Sequence, residues 1–318
     1  MPIVGRLDQY GSMLAYEFDE TTANNPSITG LGTYYASEFS ENVGIATTLT
    51  ANVFMRQNTD KSVIVYNEID EITSFADPPT IDVLLVAGGG GGGGANDEYA
   101  GGGGGAGGLI VHTSVPLTST TTYTIVVGGA ESNSSFTGLT EAVAGGVGGN
   151  DTAKSLPHNG SSGGSGGGGG NGGSVGGAGT SGQGNPGGDS TGQNAGGGGG
   201  GGYSSVGTDD EGSGGSGYDL QTFRGGSSTL VAGGGGGGPF GAGQAGGGTS
   251  GSNGSVNTGG GGGGGDSSDG GDGGSGIAIV RYPGITALAT GGSITYVAIG
   301  ATNYVVHTFT ASGNFITN

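Results

Sequence analysis

The sequence predicts a mostly irregular and β fold: a bundle of polyglycine type II helices flanked by short antiparallel β-strands, with a small N-terminal domain. Three observations predict it. Residues 88–94 are seven consecutive glycines, directly behind the apolar Val83-Leu84-Leu85-Val86. Comparable runs return at 101–105, 166–170, 196–202, 233–238 and 259–265, and all but about ten of the 88 glycines fall between 88 and 276. β-forming stretches, 82–86 and 276–282, bracket this zone.

A glycine- and serine-rich chain is ordinarily a coil. This zone is far longer than linkers need to be, and polar or aromatic patches interrupt it as turns would. Collagen requires strict Gly-X-Y and abundant proline, whereas this chain has 9 Pro. Calcium-loaded β-rolls require tandem nonapeptides, and the single match at 145–151 has no second copy in register. What remains is glycine in the polyproline II conformation, with three residues per turn and a rise of about 3.1 Å, so that seven glycines span about 22 Å. Such helices have no internal hydrogen bonds, and only glycine lets backbones approach closely enough to exchange them. Ordering a residue costs about 1–2 kcal/mol and a net hydrogen bond returns about 0.5–1.5 kcal/mol, so only a lattice with many neighbours can hold.

Three zones follow. Residues 1–80 have ordinary globular composition. There, 7–20 reads as a short helix or an amphipathic strand, while 47–55 and 62–66 read as strands. Asp77-Pro78-Pro79 is a stiff extended link to the glycine-rich zone, 81–282. Within that zone 109–115 and 123–127 are expected to pair. Residues 283–318 hold strands at 293–299, 304–310 and 313–316, a small antiparallel β unit expected to pack on the bundle.

Composition narrows the function. The net charge is −19, with six Lys+Arg. That is too few to neutralise phosphates or to dock on anionic lipid, so nucleic acid is not an expected partner. No apolar run is long enough to insert in a membrane. There is no cysteine for a disulfide or a thiolate metal site. The opening residues lack the apolar region of a signal peptide, so synthesis in a cytoplasm without general secretion is expected.

Two stretches carry a resemblance. Residues 81–94 with 273–282 (GGSGIAIVRY) resemble the glycine-rich domain of many phage and marine-bacterial surface proteins, and 290–315 looks like the strand unit that accompanies it. The architecture is similar to the polyglycine-helix sandwich of phage tail-fibre tip adhesins, although the interrupting loops here lack tryptophan. In the first zone, 32–39 (GTYYASEF) and 55–71 (MRQNTDKSVIVYNEIDE) resemble the amino-terminal modules of cyanophage virion proteins. The resemblance implies a virion surface protein whose N-terminal attachment domain docks on fibre, baseplate or capsid proteins. It implies a bundle whose loops bind a host surface polysaccharide or outer-membrane protein. The alternative is a capsid decoration or fibre spacer without a receptor. The bundle can close within one chain, and an oligomer is compatible with it.

Nothing in the sequence assembles catalytic chemistry, so no enzyme activity and no cofactor are expected. The GxGxxG matches lack a following helix, and the near match to a phosphate loop at 148–155 runs into Pro157. His112 and His307 fall in strands and His158 in a turn, and no nucleophile–base pair forms among them. Asp266, Asp269 and Asp272 would share one face of a three-residue helix about 9 Å apart, too wide for one ion from a single helix. A neighbouring strand could complete a calcium site, but here and at the turn Thr208-Asp209-Asp210-Glu211 a solvated ridge is the favoured reading, so no metal is expected. Aromatics beside polar residues suit sugar rings or receptor loops. The receptor-binding candidates are therefore Tyr99, Tyr203, Tyr218, Phe223, Arg224 and Phe240; capping of the glycine helices competes for the same aromatics.

Overall fold

The structure, a computed structural model, describes residues 3–7, 13–17, 53–57, 63–67, 80–96, 100–150, 158–193 and 195–317. The chain divides into two compact units, Met1–Pro78 and Pro79–Asn318. In the first, the described backbone forms two antiparallel hairpins: β1 (Ile3–Leu7) with β2 (Met13–Glu17), and β3 (Val53–Gln57) with β4 (Val63–Asn67). Of the ambiguous stretch 7–20, residues 13–17 are strand. The strand read at 47–55 is seen from Val53 onward, its earlier residues lying outside those described.

The second unit is mostly β, with antiparallel sheets and, among the described residues, a single four-residue helix, α1 (Gln221–Arg224). Its strands are β5 (Thr80–Val86), β6 (Leu109–Pro116), β7 (Thr122–Val126), β8 (Ser135–Phe136), β9 (Tyr218–Asp219), β10 (Leu230–Val231), β11 (Ile277–Pro283), β12 (Ala289–Thr290), β13 (Ser293–Ile299), β14 (Thr302–Phe309) and β15 (Gly313–Thr317). A five-stranded sheet runs β13-β14-β11-β5-β6 and a four-stranded sheet β12-β15-β7-β8; β9 pairs with β10. Residues 283–318 thus extend sheets begun upstream, within the same compact unit as the glycine-rich zone.

Burial on two faces explains the unbroken apolar runs of β5 and β11. Ile81, Val83, Leu85, Ala278, Val280 and Tyr282 face the second sheet, meeting Ile125, Phe136 and Phe315. Leu84, Val86, Ile277 and Ile279 face the other way, onto Leu220, Phe223 and Val231. The expected pairing of 109–115 with 123–127 does not occur. β6 pairs with β5, and β7 pairs with β15 and β8. The reason is geometric. Residues 101–108 return antiparallel to 87–95 and deliver β6 beside β5, while Ile125 carries β7 to the opposite sheet of the core.

Between the strands, the glycine segments bond to one another with a three-residue repeat. In 87–95, the N–H groups of Ala87, Gly90 and Gly93 reach the carbonyls of Gly108, Gly105 and Gly102, and those of Gly89, Gly92 and Ala95 reach Gly274, Gly271 and Ser268. Every third residue thus serves the same neighbour, and the falling partner numbers make both pairings antiparallel. Segment 101–108 lies at the centre. It donates to 259–265, 143–149 and 198–201, and accepts from 87–93, 165–168 and 235–238, all at 2.7–3.0 Å. Three donor and three acceptor directions give it six neighbours. No side chain separates these backbones: a Cβ on Gly103 would overlap the Gly235 carbonyl, and one on Gly104 the Gly90 carbonyl.

One polar chain is sealed inside the strand core. His307 is fully buried, and its Nδ1 lies 2.8 Å from the Gly291 carbonyl oxygen. That oxygen can only accept, so Nδ1 holds the proton. Nε2 then accepts from the Tyr282 hydroxyl at 3.1 Å, and the Tyr282 oxygen accepts the Leu288 N–H at 2.9 Å. Burial pushes the His307 pKa below the ordinary imidazole value, against a smaller upward pull from the Gly291 bond, and burial raises that of Tyr282. A folded-state pKa below the unfolded value of about 6.5 means that the unfolded chain takes up the proton first. This contribution is therefore full above about pH 6.5 and is lost as pH falls toward the depressed folded pKa. Thermal melts between pH 7.5 and 5 are expected to show falling stability, with a shallower slope in His307→Gln.

Candidate functional site

Chain direction sorts the loops of the bundle into two groups. Segment 87–95 leaves the sheet at β5, 101–108 returns to β6, and 270–276 returns to β11. The turns at 171–174, 190–193, 208–212, 238–241, 249–252 and 265–270, with residues 95–96 and 100–101, therefore collect at the end away from the strands. Those at 180–184, 203–205, 217–231 and 255–259 collect at the strand end.

At the far end, outer segments lack a glycine neighbour on one side, and side-chain oxygens take its place. The Asp189 carboxylate accepts the Gly176 N–H at 2.8 Å, and Asp209 accepts the Asp189 N–H at 2.8 Å. Asp210 accepts both the N–H and the hydroxyl of Thr191, at 2.7 and 2.6 Å. Asn150, Asn159 and Asn253 do the same for Gly94, Val175 and Asp272. This role of the Asp and Asn side chains is what sequence reading missed. Their signal was an Asp or Asn in the polar patches that interrupt the glycine runs, but spacing alone does not say which amide each one meets. The aspartates make this end acidic while serving the scaffold.

Asp266, Asp269 and Asp272 do not share a helix face. The chain reverses through Ser267, at φ 51°, and 259–265 and 270–276 run antiparallel. Asp266 therefore ends the outgoing segment and Asp272 lies on the returning one. Among the described residues no three acidic or histidine side chains are grouped to hold a metal ion. His112 lies on β6, its Nε2 3.0 Å from the Thr140 carbonyl oxygen.

The structure separates the receptor candidates. Phe240 projects from the far end and is 79% exposed. Tyr203, Tyr218, Phe223 and Arg224 lie at the strand end. Tyr203 and Tyr218 meet edge to face at 5.7 Å and are partly buried against the apolar cluster under the sheet. Phe223 is 3% exposed, inside that cluster, and so acts as packing. Arg224 donates to Thr229 at 2.6 Å. Tyr99 and the loop 151–157 with Lys154 lie outside the described residues.

A second feature escaped sequence reading. Arg281 on β11 is held by Asp82 of β5, its Nε and Nη2 each 3.0 Å from Oδ2. Its guanidinium lies 4.2 Å from the centre of the Phe223 ring and 4.9 Å from that of Tyr304, and Nη1 donates to the Phe223 carbonyl. Asp219 organises the same excursion. It accepts the N–H groups of Gln221 and Thr229 and the Ser228 hydroxyl, and the Gln221 bond leads in holding its carboxyl below the usual carboxylate value.

The chain belongs to the glycine-rich domain family, whose profile matches residues 71–283. No curated protein and no solved structure matches it. No helix among the described residues is long and apolar enough to cross a membrane.

Proposed function

We propose that this is a phage virion surface protein, a tail-fibre or fibre-tip adhesin that binds the host envelope through the far-end loops of a polyglycine II bundle. The observation that carries the reading is the collection of those loops at one end of a scaffold that main-chain bonds hold together. Such loops can change without disturbing a side-chain core, which suits a surface that must track its receptor. Phe240 is the leading contact residue, an exposed aromatic between Pro239 and Gly241 whose ring face is open to stack on a sugar ring. The N-terminal unit, on its resemblance to virion modules, docks on other virion proteins. The activity is binding, not catalysis.

Adsorption tests it. The purified chain is expected to co-sediment with host cells and to compete with phage for them. Phe240→Ala is expected to weaken that binding about 10-fold or more, the usual loss at an aromatic hot spot, with no change in melting temperature. Exchanging loops 208–212, 238–241 and 265–270 together, with the capping residues Asp209 and Asp210 and the glycines kept, should abolish it. Unchanged adsorption after that exchange, in a chain that melts as the parent does, overturns the adhesin role and leaves the spacer.

A further inference from the structure

The five-stranded sheet has two edges, and they are built differently. The β6 edge is blunted: Pro116 removes one N–H, the register shifts between Ile81 and Val83, and Ser114 turns the chain at φ 55°. Those are the usual devices against edge-to-edge pairing. The β13 edge has none of them. Its seven residues, SITYVAI, contain no proline, no glycine and no charge, and among the described residues only one side of the strand is paired, with β14.

Apolar surface adjoins that edge. Ile294 is 36% and Tyr296 is 59% exposed. Tyr296 sits opposite Val305, which sits opposite Tyr282, whose hydroxyl takes the Leu288 N–H. Leu288 is half exposed, and Ile285, three residues before it, is more so. The region is also free of formal charge: residues 282–318 contain no Asp, Glu, Lys or Arg, in a chain of net charge −19.

We propose that β13 is where two copies of this protein join, by antiparallel pairing of β13 with β13 of the second copy. The pairing is isologous, so one strand supplies both halves of a two-fold contact, and it merges two five-stranded sheets into one. Charge selects the occupant. A basic partner would be drawn to the carboxylates elsewhere on the chain, whereas an uncharged edge is matched by its own copy and keeps the two acidic bundle ends apart. Ile294 and Tyr296 of each copy then cover one another across the new strand pair.

The chain has no cysteine, which allows a clean test on the full-length protein. Sedimentation velocity is expected to show a monomer–dimer equilibrium that strengthens with salt. Of the single variants Ile294→Cys, Tyr296→Cys and Ala298→Cys, the one nearest the two-fold axis is expected to form a disulfide-linked dimer under mild oxidation. Thr113→Cys on the β6 edge is not. Ile294→Lys with Tyr296→Lys should give a monomer. If that variant melts early, the crosslinking result decides. A chain that stays monomeric at every concentration, a dimer that survives both lysines, or equal crosslinking at position 113 overturns the proposal. So does capture of β13 by a different virion protein while the free chain remains monomeric.

Discussion

Gly103→Ala is expected to remove the cooperative melt of residues 80–317. Gly103 sits in the central segment, its N–H on Gly198 and its carbonyl on Gly168. The added methyl would overlap the Gly235 carbonyl, which is backbone and cannot rotate away. Moving 233–238 aside breaks its bonds to 101–104 and its direct bonds to 197–200. Overpacking an ordinary core costs about 1–3 kcal/mol because side chains find other rotamers. Here there are no rotamers to find, so the loss is expected to exceed about 3 kcal/mol, a large share of the about 5–15 kcal/mol that holds a domain. Gly263→Val, which meets the Thr249 carbonyl, should behave alike. The control is Gly192→Ala. A Cβ there meets nothing within 4 Å, and the loss of unfolded-state freedom should leave stability unchanged or raise it by about 0.4–1 kcal/mol. Calorimetry of the three variants checks the argument. A Gly103→Ala melt within a degree or two of the parent would mean that the segments are not in backbone contact.

The strands were legible because their signals are local. The C-terminal strands read at 293–299, 304–310 and 313–316 are observed at Ser293–Ile299, Thr302–Phe309 and Gly313–Thr317. Alternation and flanking Gly or polar residues suffice for that. Neighbour relations among the glycine segments were not legible, because one run of glycine carries no side chain to distinguish it from another. For the same reason the end at which a loop lies depends on every reversal before it. Tyr203 and Phe240 look equivalent in sequence, yet one faces the sheet and the other solvent. The Asp266–Asp272 reading failed on a single reversal, at Ser267. The Arg281–Asp82 pair spans 199 positions and joins strands that only the return of the last glycine segment brings together.

That pair carries the second large effect. Arg281→Met is expected to cost about 2–4 kcal/mol. Breaking a fully buried pair costs about 3–5 kcal/mol, and the side chains here are 17% and 23% exposed, so screening by water reduces the figure. The loss has three parts. Asp82 keeps its bond to the Ser114 N–H but loses its counter-ion. The Phe223 carbonyl loses its donor, and the Phe223 and Tyr304 rings lose the cation between them. Arg281→Lys should recover less than half, because an ammonium can neither lie flat between two rings nor reach both acceptors. Melting alone would not separate this clamp from a general defect in β11. Proteolysis does so. The excursion 217–231 is anchored to the sheet by Phe223 and the guanidinium, so in Arg281→Met it should be cut before the strands melt, while loops at the far end keep their resistance. A double-mutant cycle with Asp82→Asn should give a coupling of about 1–3 kcal/mol. If Arg281→Met costs less than about 0.5 kcal/mol, the level of an ordinary surface change, the aromatic cluster alone holds the excursion and the arginine is incidental.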